Sequence, residues 1–161
     1  MHLEVSRVVR ARPERVYAAY TDFEAMPAWS ARLKAVKVTS RDGNVVHLEN
    51  ETVSSDGRTR RRSGVLTLHP PSSVESESET RFTRTRRTVT FEASPDGTGT
   101  KVTAALDVQV KGLWAAVLRS GVKKEEAESA AEKELESFAR FLEDGQQAGA
   151  TALTKDQTKM G

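Results

Sequence analysis

Residues 33–110 constrain this chain more than any other part of it. They read as consecutive stretches of apolar–polar alternation, the period of a half-buried strand. Each stretch closes on turn chemistry: Asp42-Gly43-Asn44, Asp56-Gly57, Pro70-Pro71, and Pro95-Asp96-Gly97 followed by Gly99. The gaps are too short for crossover helices, so neighbouring strands must pair antiparallel. The spacing predicts six strands in a meander, at 33–41, 45–54, 58–69, 73–81, 84–93 and 100–110. One more strand is expected at 3–11, where Leu3, Val5, Val9 and Ala11 share one parity and Glu4, Ser6 and Arg10 the other.

The rest of the chain has helical punctuation. Pro13 presets the first turn of a short helix, Glu14 favours its start, and Val16, Tyr17 and Tyr20 recur at helical spacing. Asp22 is placed to cap a second short helix through Phe23, Glu24 and Ala25, which Pro27 should end or kink before Trp29. After Val110, Leu113, Trp114, Val117 and Leu118 form one apolar group. Ala131, Leu135, Phe138 and Leu142 then make a stripe at i, i+4, i+7 and i+11. One long C-terminal helix is predicted, with Gly121 a candidate break and Lys123, Glu125, Glu126, Lys133, Glu136 and Glu143 on a solvated face. Beyond Gly145 the periodicity stops, so residues 1–144 read as a single domain and 145–161 as an unstructured tail.

Composition narrows the classes. With 161 residues, 37% hydrophobic and 30% charged, one domain with its own core is expected. No run approaches the roughly 18 to 20 apolar residues of a membrane span, and the opening residues alternate instead of forming a leader core. A cytoplasmic protein is the expectation. The absence of cysteine removes disulfides and thiol chemistry, and three scattered histidines offer no ligand spacing. No metal and no other cofactor is expected. The net charge of +2 carries little information, but its distribution carries more. Arg58, Arg60, Arg61, Arg62, Arg81, Arg84, Arg86 and Arg87 crowd into one stretch.

The opening strand running into ARPERVYAAYTDFEAMPAW at 11–29, with Pro13, Val16, Asp22, Pro27 and Trp29 in place, resembles the START-like (SRPBCC) superfamily. The Gly99-Thr100-Lys101-Val102 hairpin arm and the Leu135, Phe138, Leu142 stripe add to that likeness. This superfamily includes polyketide cyclases and coenzyme Q-binding proteins. The resemblance implies an α+β helix-grip fold: a seven-stranded curved antiparallel sheet, with two short helices after strand one, wrapped around a long C-terminal helix. It also implies an elongated, mostly apolar cavity between sheet and helix. It does not choose among activities, because the scaffold serves many.

Parity assigns side chains to that cavity, since every second residue of a strand faces one way. With the apolar parity inward, the expected lining is Val46, Leu48, Asn50, Arg62, Leu66, Leu68, Ser76, Ser78, Arg87, Val89, Phe91, Ala104, Leu106 and Val108. The helix adds Ala131, Leu135, Phe138 and a candidate Glu128, with Trp29, Trp114 and Leu118 near a mouth. A dry core would use the same apolar residues. Asn50, Ser76 and Ser78 argue for a partly polar pocket, because buried hydroxyls and amides need partners.

On this parity the sheet aims no histidine or carboxylate inward, so general acid or base chemistry has no donor there. What remains is an inward guanidinium, with Arg87 a weak catalytic candidate and Arg62 beside it. The favoured reading is binding of a hydrophobic small molecule such as a lipid, an isoprenoid quinone or an aromatic polyketide-like compound, with no enzymatic step. The alternative is a cyclase/dehydratase using the inward arginine and hydroxyls to stabilise an enolate. The arginine cluster is expected to form cross-strand ion pairs, with Glu79 between Arg61 and Arg86. Nucleic acid is disfavoured as its partner because glutamates interrupt the patch; peripheral contact with an anionic membrane remains a further use.

Overall fold

A computed structural model describes residues 1–54, 56–112 and 124–159, with side chains followed as far as Gly145. In chain order the elements are β1 (His2–Val9), α1 (Pro13–Tyr20), a 3₁₀ helix (Phe23–Ala28), β2 (Leu33–Asp42), β3 (Val45–Val53), β4 (Thr59–His69), β5 (Ser73–Glu79), β6 (Thr83–Ala93), β7 (Thr100–Val110) and α2 (Lys124–Lys159). Among the described residues the strands form one seven-stranded antiparallel sheet, ordered β1-β7-β6-β5-β4-β3-β2. The first two strands therefore lie at opposite edges, and α1 and the 3₁₀ helix carry the chain from one edge to the other. Strands of eleven residues in β4, β6 and β7 accumulate the usual right-handed twist, and two register shifts in β2 add bend. The curved sheet receives α2 against β1, the 3₁₀ helix against β2 and α1 against β6.

Every predicted strand is present, each end within two residues of its expected position. The first strand stops at Val9 because the Ala11 N–H turns back to the Val9 carbonyl. The fifth stops at Glu79 because the Thr80 hydroxyl takes over, accepting the N–H groups of Phe82 and Thr83. Asp22 does not cap the second helix with its side chain. Its carbonyl instead accepts the Ala25 N–H in a tight i to i+3 turn, and Pro27 sits inside the resulting 3₁₀ helix. The long helix also runs past Gly145 to Lys159, where an unstructured tail was expected. The alanines and glutamines there favour helix without needing a buried stripe, and an apolar-period reading does not register them. No helix among the described residues is long and apolar enough to cross a membrane.

The β6–β7 hairpin shows how local chemistry sets this architecture. Gly97 takes φ 72°, and the Asp96 carboxylate accepts the Ser94 hydroxyl at 2.6 Å, the Thr98 hydroxyl at 2.8 Å and the Thr98 N–H at 3.1 Å. These hydrogen bonds, led by that from Ser94, hold the carboxyl at a pKa of about 2. The next residues lock the hairpin to the start of the chain. Fully buried Thr100 donates its hydroxyl to the Ala11 carbonyl at 2.6 Å.

Candidate functional site

The register lays the inner face of the sheet out in rows. Leu68, Val74, Val89, Ala104 and Val5 stand side by side across β4, β5, β6, β7 and β1, and all five are buried. Phe91 and Val102 extend this dry end. The adjacent row runs Val46, Leu66, Ser76, Arg87, Leu106, Leu3, and its four central members are only half-buried. One row further, Gly64, Thr85 and Val108 are half-buried and Ser78 is exposed. The inner face is thus packed at one end and opens towards the other, where the β3–β4 and β5–β6 turns lie.

Helix α2 follows the same gradient. Near the end of β1 the Arg10 N–H donates to Glu143 at 3.2 Å, which places the later turns of α2 over the packed end. There Leu135, Phe138, Ala139 and Leu142 are buried. Phe138 meets Trp29 at 4.9 Å and Tyr20 at 5.6 Å between ring centres, and Tyr20 meets Phe91 at 5.4 Å. Offset and edge-on ring contacts of this kind favour a tightly fixed cluster. Ala131 and Glu134, earlier on the helix, are half-buried.

A polar group sits where packed core gives way to half-buried face. The Arg87 guanidinium Nη2 lies 3.6 Å from Glu134 Oε2, with the two side chains 30% and 18% exposed. Ser30, buried, donates its hydroxyl to Glu134 Oε1 at 3.5 Å. Burial pushes the Tyr20 phenol above its ordinary pKa, opposed by Arg87 and reinforced by Glu134, so it is a neutral hydroxyl near physiological pH. The pKa of Arg87 is raised, first by the charge Tyr20 would carry once ionised and then by Glu134, with burial opposing; near neutral pH only Glu134 supplies a negative charge beside the guanidinium. Three more polar atoms, Tyr17 Oη, Trp29 Nε1 and Asn50 Oδ1, are buried without a hydrogen-bond partner among the described residues. Two of these residues, Tyr17 and Trp29, belong to the aromatic cluster. Buried polar atoms are rarely left unpaired, so such atoms mark places for water or a ligand.

The expected cavity lining divides accordingly. Trp29, Val46, Leu48, Leu68, Val89, Phe91, Ala104, Leu135 and Phe138 are buried, and most form the dry core. Asn50, Leu66, Ser76, Arg87, Leu106, Val108 and Ala131 line the half-buried part. Arg62 and Ser78 are exposed, because they stand beyond the reach of the packed end. Trp114 and Leu118 lie outside the described residues. Glu128 is half-buried and pairs with Lys124 along the helix at 3.8 Å.

Glu134, Tyr20 and Ser30 were missed by sequence reasoning. Glu134 could have been found, since it stands three residues after Ala131 and four before Phe138, on the same face as the apolar stripe. Tyr20 and Ser30 carry no such signal, because their place depends on how α1 and the 3₁₀ helix dock.

The outward groups behave as parity requires. His47 and His69 are exposed, and His69 lies 3.6 Å from Glu75. Among the described residues no three metal-ligating side chains come together. On the outer face Arg86 pairs with Glu77 at 3.0 Å and His2 with Asp107 at 2.6 Å, lining a cleft of about 460 Å³. The expected pairing of Glu79 with Arg61 is corrected by the register. Glu79 stands opposite Arg84 and contacts Lys111, while Arg61 stands opposite Glu51. The reason is that β4 starts well before its pairing with β5 begins, leaving its arginines beyond the end of the acidic strand.

Comparison with known proteins accords with this geometry. Residues 1–143 match the family model described as polyketide cyclase / dehydrase and lipid transport. Among curated proteins no sequence matches. Among solved structures, TTHA0849 from Thermus thermophilus superposes with a TM-score of 0.73 at 22% identity, covering 90% of this chain and 99% of that one. The Zhui aromatase/cyclase from Streptomyces sp. R1128 gives 0.68 at 14% identity, covering 89% and 93%. The di-domain aromatase/cyclase StfQ of the steffimycin biosynthetic pathway gives 0.72 at 15%, covering 92% of this chain and 52% of that one. Seven antiparallel strands closing on one long helix, and a family match that takes in every strand and α2 as far as residue 143, lead to one conclusion: the chain belongs to the polyketide cyclase/dehydrase and lipid transport family and has its helix-grip fold.

Proposed function

We propose that this protein binds a hydrophobic small molecule, a lipid, an isoprenoid quinone or an aromatic polyketide-like compound, between the half-buried inner face of the sheet and α2. The observation that carries this reading is the grading of the inner face. Leu66, Ser76, Leu106, Val108 and Ala131 are neither packed like the core nor free like the surface, and they lead inward to Arg87, Glu134 and Tyr20. Covering such apolar surface with a ligand is favourable by about 25 cal/mol per Å², while the polar group fixes which end goes in.

Native mass spectrometry of the protein as purified, beside the Ala131→Trp variant, tests this. Ala131 lies on the half-buried face one turn before Glu134, so tryptophan there fills the space while the packed end is untouched. An adduct on the wild type that is lost in the variant, with an unchanged melting temperature, is expected. An adduct retained by the variant would place the ligand elsewhere. A bare wild type would favour a second reading, in which Arg87 and Tyr20 face a transient polyketide substrate as in a cyclase; the aromatase/cyclase likeness and the neutral Tyr20 hydroxyl support it.

Loading would take place at the open end. Arg60, Arg61, Arg62, Arg81 and Arg84 are exposed there and form no ion pair among the described residues, and Phe82, 38% exposed, stands at the tip of the β5–β6 turn beneath Arg81. Basic groups around an exposed aromatic suit an anionic membrane surface. Glu77 and Glu79 divide the arginines on the outer face, which disfavours a nucleic-acid backbone. Sedimentation with phosphatidylglycerol vesicles is expected at low salt and lost at high salt; equal sedimentation with neutral phosphatidylcholine vesicles would remove the arginines' role.

A further inference from the structure

An unpaired guanidinium at the inner end of an apolar space would select anions, and Arg87 read from the sequence alone suggests that. The structure reverses the expectation through Glu134. Its carboxylate lies 3.6 Å from the guanidinium, with both side chains mostly withdrawn from water, and it is itself supported by the buried Ser30 hydroxyl. The pair sits among apolar positions of its own elements: Leu106 stands opposite Arg87 in the β6–β7 register, and Glu134 lies on α2 next to the buried Leu135 and one turn before the buried Phe138. A ligand anion arriving at Arg87 therefore meets a second negative charge a few ångströms away, in a setting where water screens poorly. It must displace Glu134, leaving that carboxylate unpaired, or bear the repulsion.

An uncharged oxygen faces no such penalty. The guanidinium has five N–H donors in a fixed fork, more than one carboxylate occupies, and the buried Trp29 Nε1 is a further donor without a partner among the described residues. A carbonyl or hydroxyl oxygen can accept from these groups and leave the ion pair intact. We propose that the Arg87–Glu134 pair makes this space selective for uncharged ligands, and that it excludes carboxylates, sulfonates and phosphates. The inference rests on the binding function proposed above. It also gives the open end a division of labour, since the exposed arginines attract anionic lipid surfaces while the inner pair rejects anionic ligands.

Two fluorescent probes with the same arene skeleton test the proposal. N-phenyl-1-naphthylamine is uncharged, and 1-anilinonaphthalene-8-sulfonate adds one sulfonate. Only binding abolished by Ala131→Trp is scored, which removes the contribution of surface arginines. Wild-type protein is expected to bind the uncharged probe about tenfold more tightly than the sulfonate. Glu134→Gln is expected to shift the ratio of the two affinities about tenfold towards the sulfonate. Arg87→Gln carries the same test with the opposite sign, widening the preference for the uncharged probe, so the answer does not depend on either variant alone folding well.

A wild-type preference for the sulfonate, or a ratio unmoved by both substitutions, would overturn the selectivity while leaving the binding function standing. If neither probe shows binding sensitive to Ala131→Trp, both the binding function and the selectivity built on it fall.

Discussion

Phe138→Ala is expected to lower the unfolding free energy by about 3 to 5 kcal/mol, read as a drop in the urea midpoint at unchanged slope. Phe138 is 0% exposed and joins α2 to Trp29 and Tyr20, which in turn tie the 3₁₀ helix and α1 to β6 through Phe91. Its loss would open a cavity where α2 meets Tyr20 of α1 and Trp29 at the end of the 3₁₀ helix. The transfer of a buried ring and the incomplete collapse around the void act in the same direction. Phe141, three residues on and 41% exposed, supplies the control: its replacement by alanine should cost less than about 1 kcal/mol. Equal costs at the two positions would mean that α2 does not present this face to the sheet.

The second large effect is expected at Gly99. A Cβ built there falls well inside van der Waals contact with the Val9 carbonyl oxygen and crowds Arg10 Cα, both of them backbone atoms that no rotamer can move. Gly99→Ala must therefore push the start of β7 away from the end of β1. That motion threatens the buried bond from Thr100 to the Ala11 carbonyl and the bond that the Gly99 N–H donates to the Ser94 hydroxyl. A loss of about 3 kcal/mol is expected, at the upper end for overpacking because backbone has to yield. Gly97, two residues earlier, separates this from a conformational effect. It has φ 72° and open space around it, so Gly97→Ala should cost only about 1 kcal/mol for the left-handed geometry. A smaller loss at Gly99 than at Gly97 would show that the β1–β7 seam adjusts easily, contrary to its buried hydrogen bonds.

These two positions also show how differently structural information is stored. Phe138 could be read as core from its place in a stripe with Leu135 and Leu142, because an α-helix repeats its face every three to four residues. Gly99 could be noticed as part of a hairpin arm, but not as the point where the backbone of β1 passes too close for a side chain. The candidate site divides in the same way. Arg87 follows from the alternation of β6 and Ala131 from the helical period, and both are half-buried. The exposure of Arg62 and Ser78 was not foreseen, since both have the inward parity and differ from Leu68 and Val74 only in how far along the strands they stand. The continuation of α2 beyond Gly145 was missed because helix formation there rests on residue propensity, whereas the reading followed apolar spacing.

Local rules account for what the chain alone determined: the period of two in each strand, the turn residues between strands, the helical stripe and the order of elements. Each of these depends on neighbours a few residues away, and pairing across short turns converts them directly into a meander. Two facts belong to the tertiary structure. One is where along the sheet packing gives way to open inner face, which depends on where α2 and the short helices come to rest. The other is that Arg87, inward on β6, meets Glu134 from α2 and Tyr20 from α1. Those three residues are far apart in the chain, and no periodicity carries information about the charge a distant element will bring. Under the proposed binding function, the charge of an accepted ligand would be set by the docking of the helix on the sheet, because a buried guanidinium attracts or rejects an anion according to whether a carboxylate already faces it.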